Sequence, residues 1–161
     1  MNQDLKIKLA SPDYTSNIRD VLLDWLTPEE AEYYIVKIND QNKLYDSHYY
    51  LALLNDKVVG IIAYREPAPK VVRFTISEKP AEINMLYVGK EYCRGQGIGK
   101  TLLSYITDEV KGSGYTELVV RSAEKFKDTG WGFYDHMNFS RAGELMPPES
   151  ETRSKVWNKV I

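Results

Sequence analysis

The chain has one cysteine, two histidines and no long apolar run. The lone Cys93 excludes an internal disulfide and fits a reducing cytosol. His48 and His136 lie far apart, and no Cys/His spacing marks a zinc site, so no metal is expected. No stretch approaches the roughly 20 apolar residues of a membrane span. The N-terminal MNQDLKIKLA lacks the apolar segment of a secretory signal. Charge is nearly balanced, with 21 Lys+Arg against 23 Asp+Glu. That excludes the strong basic field that draws a protein to nucleic acid or to an anionic membrane. Repeats and low-complexity tracts are missing too. What these absences leave is a cytoplasmic protein of one domain, residues 1–161, long enough for a single sizeable core.

What is present is concentrated between Ala81 and Val110. Ile83, Met85 and Tyr87 alternate with Asn84, Leu86 and Val88, the two-residue period of a strand. From Ile98 the apolar residues Leu102, Leu103, Ile106 and Val110 recur at helical spacing. Between the two runs lies Arg94-Gly95-Gln96-Gly97-Ile98-Gly99-Lys100-Thr101. Glycines at alternate positions strip the turn of side chains, so a ligand can reach bare backbone N–H groups. The following helix adds its unpaired N-terminal donors and the positive end of its dipole. With Arg94 and Lys100 bracketing it, the turn suits a diphosphate.

Two common diphosphate motifs fail on specific residues. A P-loop needs a glycine where Arg94 stands, and the apolar strand Leu118-Val119-Val120 ends in Arg121, without a Mg²⁺-holding Asp. A dinucleotide fingerprint needs a glycine where Lys100 stands. The pattern R/Q-x-x-G-x-G/A is met by Arg94, Gly97 and Gly99. It resembles the pyrophosphate-binding signature of the GNAT superfamily of acyl-CoA-dependent N-acetyltransferases. Upstream, Leu86-Tyr87-Val88 resembles the family's strand ending that pairs with pantetheine. Downstream, Gly132-Phe133-Tyr134-Asp135-His136-Met137-Asn138-Phe139 is similar to its closing helix and Y-x-x-x-G-F ending.

The rest of the chain reads as alternating short elements. Leu5, Ile7 and Leu9 mark a first strand, and Ser11-Pro12 an N-cap with proline at the first helical position. Ile18, Val21, Leu22, Trp25 and Leu26 line one helix face; Thr27-Pro28-Glu29-Glu30 restarts a helix with a capping box. Residues 48–54 and 57–64 form a hairpin around Asn55-Asp56, with Gly60 marking a bulge or a close approach. Val71 to Ile76 is strand-like, and Pro80 stops it. Strand 117–121, a short helix over 129–137 and a last antiparallel pair complete the chain. The resemblance implies a mixed α/β fold, a mostly antiparallel twisted sheet flanked by helices in the order βααβββαβαββ.

It also implies direct acetyl transfer from acetyl-CoA to a primary amine of a small molecule or peptide. The cofactor-binding residues would be Leu86, Tyr87, Val88 and Arg94, Gly95, Gln96, Gly97, Ile98, Gly99, Lys100, Thr101. Tyr134 occupies the family's general-acid position, placed to protonate the leaving sulfur, and Glu82 is the candidate base. The glutamate that some relatives acting on protein N-termini carry in the strand before the closing helix is Val119 here, with Glu117 two residues earlier. The family's usual asparagine seven residues before the tyrosine is Lys127. Cys93 lies in the phosphate turn, away from the expected thioester, which argues against a covalent acetyl-cysteine. Acceptor sites in the family draw on segments that correspond to residues 22–35, 65–80 and 145–153. The resemblance leaves a homodimer open. The alternative reading is a non-catalytic acyl-CoA-binding module, which would need the glycine turn but neither Tyr134 nor a base.

Overall fold

Each strand predicted from the two-residue period, except that at Val71–Ile76, forms in the computed structural model, which describes residues 5–40, 47–93 and 95–161. In chain order the elements are β1 (Leu5–Leu9), α1 (Thr15–Leu23), α2 (Pro28–Ile38), β2 (His48–Leu54), β3 (Lys57–Arg65), α3 (Pro69–Val72), β4 (Pro80–Val88), α4 (Ile98–Gly112), β5 (Glu117–Ala123), α5 (Gly132–His136), β6 (Ser140–Leu145) and β7 (Ser154–Val160). The strands make a seven-stranded sheet in the order β1-β2-β3-β4-β5-β7-β6. The β4–β5 pair is parallel, and β1–β2, β2–β3, β5–β7 and β6–β7 are antiparallel. This is the expected mixed α/β fold with its mostly antiparallel sheet and flanking helices. The chain divides into two compact units, Met1–Tyr64 with Met85–Ile106 and Arg65–Asn84 with Thr107–Ile161.

In the first unit, α1 buries Ile18, Val21 and Leu22, and α2 buries Ala31, Ile35 and Ile38. The capping box is formed: Glu30 N–H donates to Thr27 Oγ1 at 3.2 Å, and Thr27 N–H to Glu30 Oε1 at 2.9 Å. Ser11 does not cap with its side chain. Instead Pro12–Tyr14 makes a 3-10 turn that leads into α1. The β2–β3 hairpin turns at Asn55 (φ 52°) and Asp56 (φ 65°), the left-handed pair that matches strand twist. Ala52 pairs with Gly60 but Leu53 with Val58, so Val59 is the extra residue of a bulge. A Cβ on Gly60 would lie 3.0 Å from Leu102 Cδ1 and 3.3 Å from the Tyr87 carbonyl oxygen. Bulge and close approach therefore meet at one glycine.

The second unit is built on β5, whose Leu118, Val119 and Val120 are buried. Val71, Val119, Leu145 and Val156 form an apolar cluster against which Ala68, Phe74 and Ala142 pack. Here one expectation is corrected: Val71–Ile76 is not a strand. Pro69 opens the single turn α3, and Phe74 N–H and Thr75 N–H donate back to the Val71 and Val72 carbonyls at 3.0 Å and 3.0 Å. A proline at the first helical position favours that turn over the β-branched preference of Val-Val. Pro80 opens β4 rather than ending a preceding strand, a position proline tolerates. Glu117 is fully buried, and its carboxylate accepts N–H bonds from Ile76 (2.9 Å) and Ser77 (2.8 Å).

Candidate active site

In the first unit, the end of β4 and the glycine turn are held in place by distant parts of the sequence. Leu86, Tyr87 and Val88 are half-buried at the end of the strand. Trp25 Nε1 donates to the Val88 carbonyl at 2.8 Å, and Gly89 N–H to the Val59 carbonyl at 2.8 Å. Asp24 accepts the Lys90 N–H at 2.8 Å, and the Lys90 ammonium lies 5.1 Å from the centre of the Trp25 ring. Trp25, expected on a helix face, lies past the end of α1 and fastens β4. Cys93 is exposed, its thiol 3.4 Å from the Val88 carbonyl.

Arg94 lies outside the described residues. Beyond it, Gly95 (φ 76°) and Gly97 (φ 66°) are left-handed, and a Cβ on either would meet nothing within 4 Å. The turn is thus a bare backbone facing open space, with Gln96 exposed beside it. Ile98 is buried and anchors the start of α4, which is 15 residues long. Thr101 N–H and its hydroxyl both donate to the Gly97 carbonyl, each at 2.9 Å. Helix geometry leaves the amides of Ile98, Gly99 and Lys100 without intrahelical acceptors. Those donors, the dipole and the exposed Lys100 fit a diphosphate.

In the second unit, Tyr134 sits on α5, which follows a π-turn at Lys127–Trp131. Its ring is buried between Phe133, Phe139 and Trp157, at centroid distances of 5.3, 5.7 and 5.1 Å. Burial pushes the phenol well above its ordinary range, so it stays protonated. Its hydroxyl has no hydrogen-bond partner among the described residues. Next to it, Asp135 accepts from Arg141 Nη2 at 2.6 Å and from Trp157 Nε1 at 3.0 Å. Those bonds, Arg141 first, hold the Asp135 carboxyl down to about 2. Neither Asp135 nor Trp157 stood out in the sequence, because their pairing joins α5 to the last strand without a motif.

Glu82 is 3% exposed on β4. Its Oε1 accepts from Arg65 Nε at 3.2 Å and from Ala68 N–H at 2.9 Å, and its Oε2 from Arg65 Nη2 at 3.4 Å. The carboxylate is thus ion-paired with Arg65, at 3.2 Å. Val119 is an apolar core residue. Glu117 is bound by two backbone amides, and Lys127 is exposed. His48 stacks on Tyr64 at 4.7 Å, and His136 is exposed. Among the described residues no group of His, Cys, Asp or Glu could hold a metal, and no helix is long and apolar enough to cross a membrane.

Comparison with known proteins agrees with this geometry. No curated protein matches the sequence. Among solved structures, a GNAT-family protein of Desulfovibrio desulfuricans superposes with a TM-score of 0.78 at 20% identity, covering 97% of this chain and 98% of that one. An aminoglycoside 6'-acetyltransferase type Ii superposes at 0.71 with 18% identity, covering 96% of each chain. The PaiA N-acetyltransferase of Thermoplasma acidophilum, solved with coenzyme A, superposes at 0.62 with 18% identity, covering 99% of this chain and 100% of that one. At these identities the likeness is one of fold. The family assignment comes from the sequence itself, whose residues 14–139 match the profile of the acetyltransferase (GNAT) family. With most of its length inside that match, the chain belongs to the GNAT family of acetyltransferases.

Proposed function

We propose that residues 1–161 act as one catalytic domain that moves an acetyl group from acetyl-CoA directly to a primary amine of a small molecule or peptide. In this reading the amides of residues 95–100, with Arg94 and Lys100, hold the diphosphate, and the backbone of Leu86–Val88 aligns the pantetheine arm. When bound, acetyl-CoA supplies the acetyl group as a thioester. A Lys-like amine with a pKa of about 10.4 must first lose a proton, at roughly 4–5 kcal/mol near neutral pH. Glu82 receives that proton through a water. Among the described residues its Oε2 carries only the 3.4 Å bond from Arg65, which leaves lone-pair directions open. As the carbon–nitrogen bond forms and the carbon–sulfur bond breaks, Tyr134 gives its hydroxyl proton to the departing sulfur. The lone Cys93 suits a reducing compartment, and we place the activity in the cytoplasm.

The observation that carries this reading is the state of Tyr134. Its ring is sealed among aromatics, its phenol stays protonated, and its O–H is committed to no described residue. A packing tyrosine has no need of an uncommitted donor, whereas a general acid does. A CoA-release assay against a panel of amines, with products identified by mass spectrometry, tests the proposal. Turnover with at least one amine is expected. Tight acetyl-CoA binding with no release for any amine would leave only the acyl-CoA-binding module.

A further inference from the structure

Six arginines fall among the described residues, and five of them are paired with carboxylates. Arg19 pairs with Glu32, Arg65 with Glu82, Arg73 with Glu149, Arg141 with Asp135, and Arg153 with Glu124 and Glu144. Arg121 is the exception. It is half-buried on β5, and its Nη1 reaches only two hydroxyls, Ser150 Oγ at 3.4 Å and Ser154 Oγ at 3.3 Å. Its Nε is sealed from solvent and has no acceptor among the described residues.

Ser150 and Ser154 are themselves buried, with their oxygens 3.3 Å apart. One hydroxyl can donate to the other, which leaves the second hydroxyl hydrogen without an acceptor among the described residues. Among the described residues the cluster is therefore one positive charge with surplus donors and no anion. A guanidinium taken partly out of water without a counter-ion is unfavourable, and a buried donor without an acceptor adds to that. The uncommitted edge is Nε with Nη2, the edge that grips a carboxylate through two parallel N–H···O bonds once the half-buried side chain turns its sealed Nε toward the ligand.

The sheet register says where such a carboxylate would be useful. Glu82 pairs with Val119 in the parallel β4–β5 ladder, and Arg121 pairs with Val156 opposite. Residues two apart on a strand share a face, so Glu82, Val119 and Arg121 look to the same side. From strand spacing and rise, the Cα atoms of Glu82 and Arg121 lie about 8 Å apart. We infer that Arg121 binds a carboxylate on the acceptor, so that the substrate is an amine carrying a carboxylate a few bonds from its nitrogen, of the amino-acid type. This rests on the acetyl-transfer reading, with Glu82 serving the amine end of the same molecule.

The test uses α-, β- and γ-amino acids and their matched carboxamides as acceptors for the full-length protein. The acid should exceed its amide by at least tenfold in kcat/KM. Arg121→Gln, checked for folding by its melting curve, should collapse that ratio to near one. Arg121→Lys keeps the charge without the two-pronged edge and should give an intermediate ratio, so it also serves if the Gln variant does not fold. Calorimetric titration of the CoA complex with the same acids and amides reads the contact even without turnover. Equal use and equal binding of acid and amide, or a preference that survives Arg121→Gln, overturns the inference. A tenfold loss of acetyl-CoA affinity in Arg121→Gln also overturns it, by assigning the residue to the cosubstrate. Failure of the underlying reading looks different: no acetyl transfer to any amine, neutral or acidic. Transfer to neutral amines alone sinks the carboxylate and spares the reaction.

Discussion

Around Gly95–Thr101 the chain offers main-chain atoms to a ligand; around Tyr134 it offers one side-chain hydroxyl inside a frame of rings. In the turn, the conformation is stored in two left-handed glycines and in the buried anchor Ile98. Around Tyr134 it is stored in contacts between α5 and β7, chiefly with Trp157 and through Asp135. The backbone site should therefore resist changes in most side chains but not the addition of a Cβ. The side-chain site should depend on single atoms. On the proposed function, binding and chemistry are thus open to separate attack.

The largest effect should come from deleting one atom in the frame. Tyr134→Phe keeps the ring that packs on Phe139 and Trp157 but removes the donor. A loss of about 10²–10⁴ in kcat is expected, with little change in KM for acetyl-CoA, because a general acid of the proposed kind gives its proton mainly in the transition state. Turnover within threefold of the parent would reduce Tyr134 to a packing residue. Glu82→Gln keeps an acceptor for Ala68 N–H and loses the proposed base. We expect a fall of roughly 10–10² in kcat/KM near neutral pH that shrinks at high pH, where solvent supplies the neutral amine. A deficit that stays constant with pH would make Glu82 a strut for Arg65.

Gly97→Val tests the other side of the comparison. At φ 66° a branched residue is strained, and its side chain would enter the open space beside the turn. Acetyl-CoA affinity should fall at least tenfold, about 1.4 kcal/mol, while kcat at saturation changes little. Unchanged affinity in a folded variant would break the assignment of the turn. The smallest effect is one of acid stability. Asp135, held down to about 2 in the folded chain, takes up its proton more readily when unfolded. Its contribution is complete above about pH 4 and is lost as pH falls toward 2. Melting temperatures of the parent and Asp135→Asn should therefore converge over that window, and parallel curves would remove Asp135 from the frame.

The two regions also differed in how far the sequence exposed them. The turn was legible because its physics is local: alternate glycines, a charge and a helix start sit within eight consecutive residues. Tyr134 was legible only through the pattern of the segment around it. Its neighbours Asp135 and Trp157, and the pairing of Glu82 with Arg65, were not, since those contacts join residues far apart in the chain. Arg121 looked like a strand end; the register of β4, β5 and β7 puts it on the face of Glu82, and its side-chain bonds among the described residues go to two serines and to no carboxylate. Val71–Ile76 was misread because its β-branched residues suggest extension, while Pro69 and the burial of Val71 favour a turn.

Glu117 has a consequence for motion. The amides of Ile76 and Ser77 belong to an irregular segment, and Ile76 exposes 73% of its surface, yet both donate to a carboxylate sealed inside β5. Releasing either amide leaves buried carboxyl oxygens short of a donor, so opening the segment costs more than ordinary loop fluctuation. In hydrogen exchange these two amides should keep their protons nearly as long as the strand they hang from, giving an irregular loop the clock of a sheet.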